Sequence, residues 1–483
     1  MIYYDEVYVL FLKIMNRLLL IVFALAIFSC KKDSFITSAD ALISITADTL
    51  HFDTVFTTAG SVTQIFKIKN ENGQKLRLSE VSLGGGASSF FKINVNGAAG
   101  PVLTDIELEA NDSIYVFASV SINATVANLP FIVRDSIRVS FNGNKRYIQL
   151  DAYGQNAHFL RAAKITGNVT WNNDLPYVLQ DSLVISANAT LTINEGCRIY
   201  VHANAAILVD GTLKINGKKY DSTRVRFNGD RLDEPYNTYP GSWPGISFRS
   251  PSKDNVLTFA VLRNAYQGIV VNGPSINVSP KLTLNQCIID NISDAGISGS
   301  NTSITATNCL ISNAGGKASN NVNLSYGGNY DFANCTIVSY GNSFVPHMNP
   351  ALFLSNYTMK DGTKIIADLN ARFLNCIFWG ENGMAEDEVQ ITRSGANPFA
   401  VSFTTCLWKM KSDLTNATVT SVINNQSPAF DSVDVANRYY SFRLKAGSPA
   451  IDKGWLTTAL IDLDGNPRSV GTFPDIGAYE ASP

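Results

Sequence analysis

The chain has 483 residues, with 38 Lys and Arg against 40 Asp and Glu, a formal net charge of -2. That balance, without a long basic run, lacks the electrostatic footprint of a nucleic-acid binder, and 45% hydrophobic residues exclude intrinsic disorder. Charged residues at only 16%, 46 Asn and 34 Gly point to an all-β protein with many turns.

Met15-Asn16-Arg17 is a short basic start, followed by 11 unbroken apolar residues from Leu18 to Phe28 and then Ser29-Cys30. Crossing a bilayer takes about 20 residues, so this run reads as the apolar part of a signal peptide over residues 1–30. An uncleaved membrane anchor is the other reading. Asp5 and Glu6 suit a basic leader poorly, so translation is expected to start at Met15. The segment resembles a bacterial lipoprotein signal with its lipobox, departing from it at the bulky Phe28. The resemblance implies cleavage before Cys30 and lipidation of that residue. Residues 31–42 form a tether. Its Lys31-Lys32-Asp33 is similar in part to the export tag of surface lipoproteins in Bacteroidetes-type bacteria, a solvated tether being the alternative. An outer-membrane lipoprotein at the cell surface is implied, with the periplasmic side as the other location and the membrane as a partner through the lipid.

Residues 43–156 alternate apolar and polar residues in short runs, as in Thr49–Phe56, Gln64–Ile68, Asp135–Phe141 and Tyr147–Leu150. Period two with one apolar face predicts antiparallel sheets packed face to face, about seven strands of a sandwich. Leu50-x-Phe52-Asp53-x-Val55, the Lys69-Asn70 turn and Leu150-x-Ala152-Tyr153-Gly154 resemble Ig-like domains of the abnormal-spindle/hydin kind, which implies a spacer or binding module.

Residues 160–446 change texture. A line recurs at Asn285-Gln286-Cys287, Thr307-Asn308-Cys309, Ala333-Asn334-Cys335, Leu374-Asn375-Cys376 and Thr404-Thr405-Cys406, each followed by apolar residues. The steps between cysteines are 22, 26, 41 and 30 residues. Asn264-Ala265 reads as an earlier copy. A repeat of this period means a solenoid, and each repeat reads as one coil of a right-handed parallel β-helix. Stacked coils place Asn308 and the other turn residues in a ladder, with Cys287, Cys309, Cys335, Cys376 and Cys406 pointing inward, reduced and stacked. Neighbouring coils hold Cβ atoms a strand spacing apart, longer than a disulfide takes.

The tail, 447–483, contains Gly447-Ser448-Pro449-Ala450-Ile451-Asp452-Lys453-Gly454, Asp462-Leu463-Asp464-Gly465-Asn466-Pro467-Arg468 and Asp475-Ile476-Gly477-Ala478-Tyr479-Glu480. It resembles the closing segment, called choice-of-anchor Q, of bacterial surface β-helix proteins of the pectin-lyase-like superfamily. An open last coil is a bare sheet edge, so Asp452, Arg468, Asp475 and Glu480 are read as a structural charge network that caps the solenoid. Asp462 and Asp464 lack the glycine and distal glutamate spacing of an EF-hand loop.

Chemistry is sparse. His51, His158, His202 and His347 are far apart and sit beside no catalytic motif, and there is no CxxC, G-x-S-x-G, H-E-x-x-H or phosphate loop. No metal and no cofactor is expected. Relatives with this fold include pectate lyases and polygalacturonases, but neither local motif is present. The acidic clusters 230–234 and 386–388 read as solvated loops. Between Gly229 and Gly245 three aromatics, four charges and three prolines interrupt the coil. There Tyr236 and Tyr239 either offer faces to sugar rings or cover the helix flank, Asp230 and Arg231 offer hydrogen bonds, and the resemblance to the β-helix family implies that Trp243 packs against the coil. The expectation is a non-catalytic binding or structural module with a polysaccharide or a cell-surface protein as partner. A polysaccharide lyase or glycoside hydrolase with a divergent site is the alternative.

Overall fold

The alternation between Ile43 and Gly154 becomes ten strands in two five-stranded sheets. The computed structural model describes Met15, Arg17 and residues 34–481, apart from 58–59, 123–130, 318 and 469. The expected leader and Cys30 lie outside the described residues. One sheet runs Ile43–Ile45, Gln64–Asn70, Ser113–Val120, Phe91–Val95 and Ala98–Ala99, all antiparallel. The other runs Thr49–Phe56, Asn144–Gln155, Phe131–Phe141, Leu76–Leu83 and Val102–Leu108, with its first pair parallel. Phe52, Phe66, Leu78, Val116, Val139 and Leu150 fill the space between the sheets. Period two dictates this: one side chain in two faces inward, and the inward set is apolar. This is an Ig-like sandwich. It accounts for one of two units, residues up to 155, and the second begins at Asn156.

The second unit is a right-handed parallel β-helix, the hand that crossovers between parallel strands take. An 11-stranded and a 17-stranded parallel sheet carry the coils. The larger sheet supplies two faces of each coil. The first face stacks Leu183–Ile185, Ile207–Val209, Ile246–Phe248 and Ile269–Asn272, and the second stacks Thr190–Asn194, Thr212–Asn216 and, further on, Leu369–Leu374 on Phe399–Thr404. The third face is the smaller sheet. There Ile199, Phe227, Leu262, Ile289, Ile311, Ile337, Phe378 and Trp408 register in sequence, one per coil, and all are buried. In-register stacking of identical positions lets each apolar residue meet its own kind. Phe373 and Phe403 on the second face show it, with ring centroids 4.8 Å apart and planes 9° apart.

The turn from second to third face explains the Asn-Cys grammar. Gly196, Phe259, Gln286, Asn308, Asn334, Asn375 and Thr405 all adopt positive φ there, between 48° and 75°. Asn and Gly tolerate that conformation best. The residue after each turns inward: Cys197, Ala260, Cys287, Cys309, Cys335, Cys376 and Cys406 are fully buried, and these six cysteines, the ones among the described residues, are free thiols. Their Sγ atoms contact carbonyls of their own and the neighbouring coil, as Cys335 does with Ala306 O at 3.5 Å and Ala333 O at 3.4 Å. Burial pushes the Cys197 thiol up to about 11, and holds Cys309 well above the usual thiol range. Two details differ from expectation. Cys197 belongs to the stack, its place marked by glycine instead of asparagine. The earlier copy is Phe259-Ala260, since Ala260 registers one position before the Val261–Ile288 pair and so over Cys287; Asn264-Ala265 sits in the next turn.

The tail is not a cap, which corrects the expectation. Coil strands end with Thr418–Thr420 and Ile423–Asn424. Then an antiparallel hairpin, Phe430–Asp434 with Tyr439–Leu444, leaves the stack, and the hairpin and tail lie lengthwise on the third face. Phe430, Phe442, Leu463, Ile476, Ala478 and Tyr479 cover Leu310, Val338, Ile377 and Leu407. The reason is in the sequence: these third-face residues are apolar on the outside too, so the face needs a cover. Turn asparagines hold the strap. Asn308 donates to Ile461 O at 2.9 Å, Asn334 to Thr457 Oγ1 at 3.1 Å, and Asn375 to Trp455 O at 2.8 Å. Of the expected ladder bonds between these asparagines, one forms, Asn375 Nδ2 to Asn334 Oδ1 at 2.8 Å.

Arg468 pins the strap. It is buried and donates to Glu480 Oε1 at 2.8 Å, Asn308 Oδ1 at 2.9 Å, Gly477 O at 2.7 Å and Asp475 O at 3.2 Å. Asp475 accepts from the Asp452 and Ala481 amides, while Asp452 accepts from the Phe473 amide rather than from Arg468. Burial holds the Asp475 and Glu480 carboxyls above the ordinary carboxylate range, with Arg468 offsetting part of the rise.

One buried charge stands apart. Lys281 is fully enclosed, its Nζ donating to Ser250 O at 2.8 Å and Asn272 O at 2.7 Å. Burial pushes its ammonium down to about 8. Between about 8 and the ordinary Lys value near 10.5 the unfolded chain holds a proton the folded chain has released, so stability rises with pH through that window. Relative to Lys281→Met, the wild type is expected to gain up to about 3 kcal/mol from pH 8 to 10.5. Urea unfolding of both proteins across that range checks this, and parallel pH profiles would refute it.

Candidate functional site

The third face carries polar residues on the outer side of three consecutive strands, several of them buried beneath neighbouring segments. Arg263, Asp290 and Ser312 register one above another, facing outward, while Leu262, Ile289 and Ile311 face in. The residue after each strand is an asparagine in the left-handed conformation: Asn264, Asn291 and Asn313, with φ of 62°, 57° and 47°. Here an amide ladder does form. Asn291 Nδ2 donates to Asn264 Oδ1 at 2.7 Å, and Asn264 Nδ2 to Asn228 Oδ1 at 2.9 Å.

Two segments rise on either side of this floor. The insert between Gly229 and Trp243 sits on it, with Asn237 O accepting from Asn264 at 2.8 Å and Thr238 O from Asn291 at 2.9 Å. The hairpin brings Asn437, Arg438, Tyr439, Tyr440 and Phe442 to the other side. Arg438 joins the two, donating to Thr238 O at 3.2 Å and Oγ1 at 2.9 Å. Between them lies a cavity of about 430 Å³. Its floor is amide and its far wall aromatic, with Tyr439 62% exposed. Asp290 is fully engaged, with Arg263 Nε 3.3 Å away and Ser312 and Asn313 donating at 2.8 and 3.4 Å.

The residues expected to touch a ligand or cover the flank make these contacts within and around the insert. The Arg231 guanidinium lies 3.7 Å over the Tyr236 ring and donates to both oxygens of Asp233 at 3.1 and 2.7 Å. Tyr236 meets Tyr239 edge-on at 5.3 Å, Tyr239 meets Phe344 at 4.8 Å, and Arg438 covers Phe344 at 4.7 Å. Such cation–π and ring pairs fix the insert's shape. Tyr236 keeps 43% exposure at the rim, while Tyr239 is partly enclosed by its neighbours. Asp230 is paired with His202 Nδ1 at 2.7 Å. Trp243 is fully buried and donates its indole N–H to Arg263 O at 2.8 Å. The hairpin residues escaped sequence reading because they lie some 200 positions from the insert in the chain. The outward triplet ending each third-face strand in asparagine, at 264, 291 and 313, was the available signal.

All four histidines have carboxylate partners that sequence spacing did not reveal: His51 with Asp151, His158 with Asp174, His202 with Asp230 and His347 with Glu388. Glu388 corrects the reading of 386–388 as a solvated loop. It is fully buried, facing His347 Nε2 at 2.9 Å and accepting from the Ala351 amide at 3.1 Å. That pair ties two inserts together, and a Cβ at Gly380 would collide with both side chains. Among the described residues no group of three His, Cys, Asp or Glu is placed to hold a metal ion. Asp462 accepts the amides of Asp464, Asn466 and Glu480, and Asp464 pairs with Arg443.

No protein-family model and no curated protein matches the sequence. Solved structures with some likeness include a family 123 glycoside hydrolase from Clostridium perfringens that acts in glycolipid glycan hydrolysis, at 13% identity over 23% of this chain and 25% of that one, TM-score 0.18. Another is the alkylpurine DNA glycosylase AlkC of Pseudomonas fluorescens bound to DNA with an abasic site analog, at 12% identity over 24% and 31%, TM-score 0.15. A third is the catalytic unit of a thermostable GH87 α-1,3-glucanase from Streptomyces thermodiastaticus, at 10% identity over 75% and 88%, TM-score 0.18. The matches therefore span about a quarter and a third of the first two proteins. Likenesses this faint carry no functional argument, and the fold stands on its strand register: an Ig-like sandwich followed by a parallel β-helix.

Proposed function

We propose that the protein is a lipid-anchored envelope protein of the outer membrane, facing the cell surface, whose β-helix binds glycan in the flank cavity without cleaving it. The observation that carries this reading is the pairing of an amide floor with an exposed tyrosine wall. Sugar rings present CH faces that stack on aromatic rings, and a sugar hydroxyl can donate to Asn237 Oδ1, a cavity-lining amide oxygen without a partner among the described residues. Binding is favoured over hydrolysis by the register of the strands. Glycoside hydrolysis takes two carboxyl groups flanking the bond. The carboxylates on coil strands, Asp290, Asp331 and Glu381, register instead against Arg263 and Ser312, Thr305 and Arg372, and Tyr340. The lipid reading rests on the apolar run and Cys30. Several acyl chains on one cysteine anchor stably, each buried CH₂ contributing about 0.8 kcal/mol. The tail's resemblance to the closing segment of surface β-helix proteins fits the same location.

One experiment with two readouts tests this. Full-length protein and Cys30→Ala are fractionated after labelling with fatty acid, and the mature chain is screened on a glycan panel for binding and for product release. Expected are loss of label and of membrane association in Cys30→Ala, and binding without products. Released products would overturn the binding-only reading, and a persistent label in Cys30→Ala would overturn the anchor.

A further inference from the structure

Charge in the flank cavity is unbalanced. Its lining holds two arginines, Arg263 and Arg438, and one carboxylate, Asp290. Asp290 is already occupied by Arg263, Ser312 and Asn313. Arg438 has no carboxylate partner among the described residues. Its five N–H donors spend two bonds on Thr238, and its face rests on Phe344. The guanidinium is therefore held in place with donors to spare. A planar fork fixed in this way loses little freedom when it takes an oxyanion.

We propose that this cavity selects glycan units carrying a negatively charged substituent, a carboxylate, sulfate or phosphate, with Arg438 as the anion's partner and Arg263 as its second neighbour. The inference rests on the glycan-binding reading above and adds a charge to the ligand. The tyrosine wall takes the ring, and Arg438, at the junction of insert and hairpin, takes the anion. Charge-assisted bonds of this kind are about twice as strong as neutral ones, and a partly enclosed cavity screens them less than open surface does.

The test uses matched ligand pairs on the mature protein: glucuronate-terminated oligosaccharides against their carboxyl-reduced forms, sulfated against desulfated, and phosphorylated against dephosphorylated. The pair that discriminates identifies the source of the charge. The acidic member is expected to bind about tenfold to a hundredfold more tightly, with the preference shrinking as salt rises. Arg438→Gln should erase the preference and Arg438→Lys should keep part of it. Tyr439→Ala should weaken acidic and neutral members alike. Equal binding of both members by wild type overturns the charge assignment and leaves glycan binding standing. So does a preference that survives in folded Arg438→Gln. Binding of no member overturns both. If Arg438→Gln does not fold, the wild-type ratio between matched ligands decides.

Discussion

Arg468→Ala is expected to cost about 3–5 kcal/mol, the usual price of stranding one partner of a buried ion pair. Arg468 and Glu480 each have 2% of their side chains exposed. Removing the guanidinium leaves Glu480 facing the interior with one amide donor, from Asp475. It also frees three acceptors at once: Asn308 Oδ1, Asp475 O and Gly477 O. Because Asn308 belongs to a coil turn and Glu480 to the strap, the loss falls on the junction of the two. Thermal unfolding and limited proteolysis of the tail check the expectation. A cut within 447–481 should appear in the variant at temperatures where the wild type resists. An unchanged melting temperature would mean the strap is held by the apolar cover alone. Arg468→Lys restores charge without the planar fork and should recover only part of the loss.

Cys335→Asp is expected to be at least as severe, with more than about 4 kcal/mol lost, because it places a carboxylate in an apolar stack. Cys335 sits between Cys309 and Cys376, one coil below and one above, with no exposure. Its Sγ contacts two carbonyl oxygens, Ala306 O and Ala333 O, which repel an anion. Cys335→Ala provides the scale: it removes one small atom and should cost about 1–2 kcal/mol. Urea unfolding of the three proteins separates the effects. If Asp and Ala variants fall within about 1 kcal/mol of each other, the position is wet and the stack is not a core.

Much of the architecture is legible residue by residue. Strand period two in 43–154 demands a two-faced sheet, and the recurring Asn-Cys step demands stacked coils, because both follow from backbone geometry acting over a few residues. The left-handed turn is written locally in Asn308, Asn334 and Asn375, which tolerate that φ. Phe259 and Thr405 occupy the same turn with residues that tolerate it less well, so there the stack overrides local preference. Phe259 thereby removes the asparagine mark from Ala260, whereas at Cys197 the mark is Gly196, which tolerates the turn as readily as asparagine.

The site was legible only in part. That the stretch 229–245 interrupts a coil could be read from its composition, and the inward Trp243 was implied by the family resemblance. The contacts of Tyr236 with Arg231 and of Tyr239 with Phe344 could not, because no local rule links residue 239 to residue 344. The pairing of His347 with Glu388 is equally silent: they lie 41 positions apart, with the coil strands Leu352–Ser355, Leu369–Leu374 and Ile377–Glu381 between them. The tail shows the limit most plainly. Its charged residues are conspicuous in sequence, and an open last coil made a cap the natural reading. The structure lays the tail on the flank instead, because Leu310, Val338, Ile377 and Leu407 present apolar area there along several coils. The sequence by itself determined an all-β chain, its two architectures, the period of the coil and the inward cysteines, all consequences of short-range periodicity. The tertiary structure alone decided the hairpin's place against the insert, the cavity between them and the strap pinned by Arg468, because each depends on burying apolar surface between segments that neither period nor spacing connects.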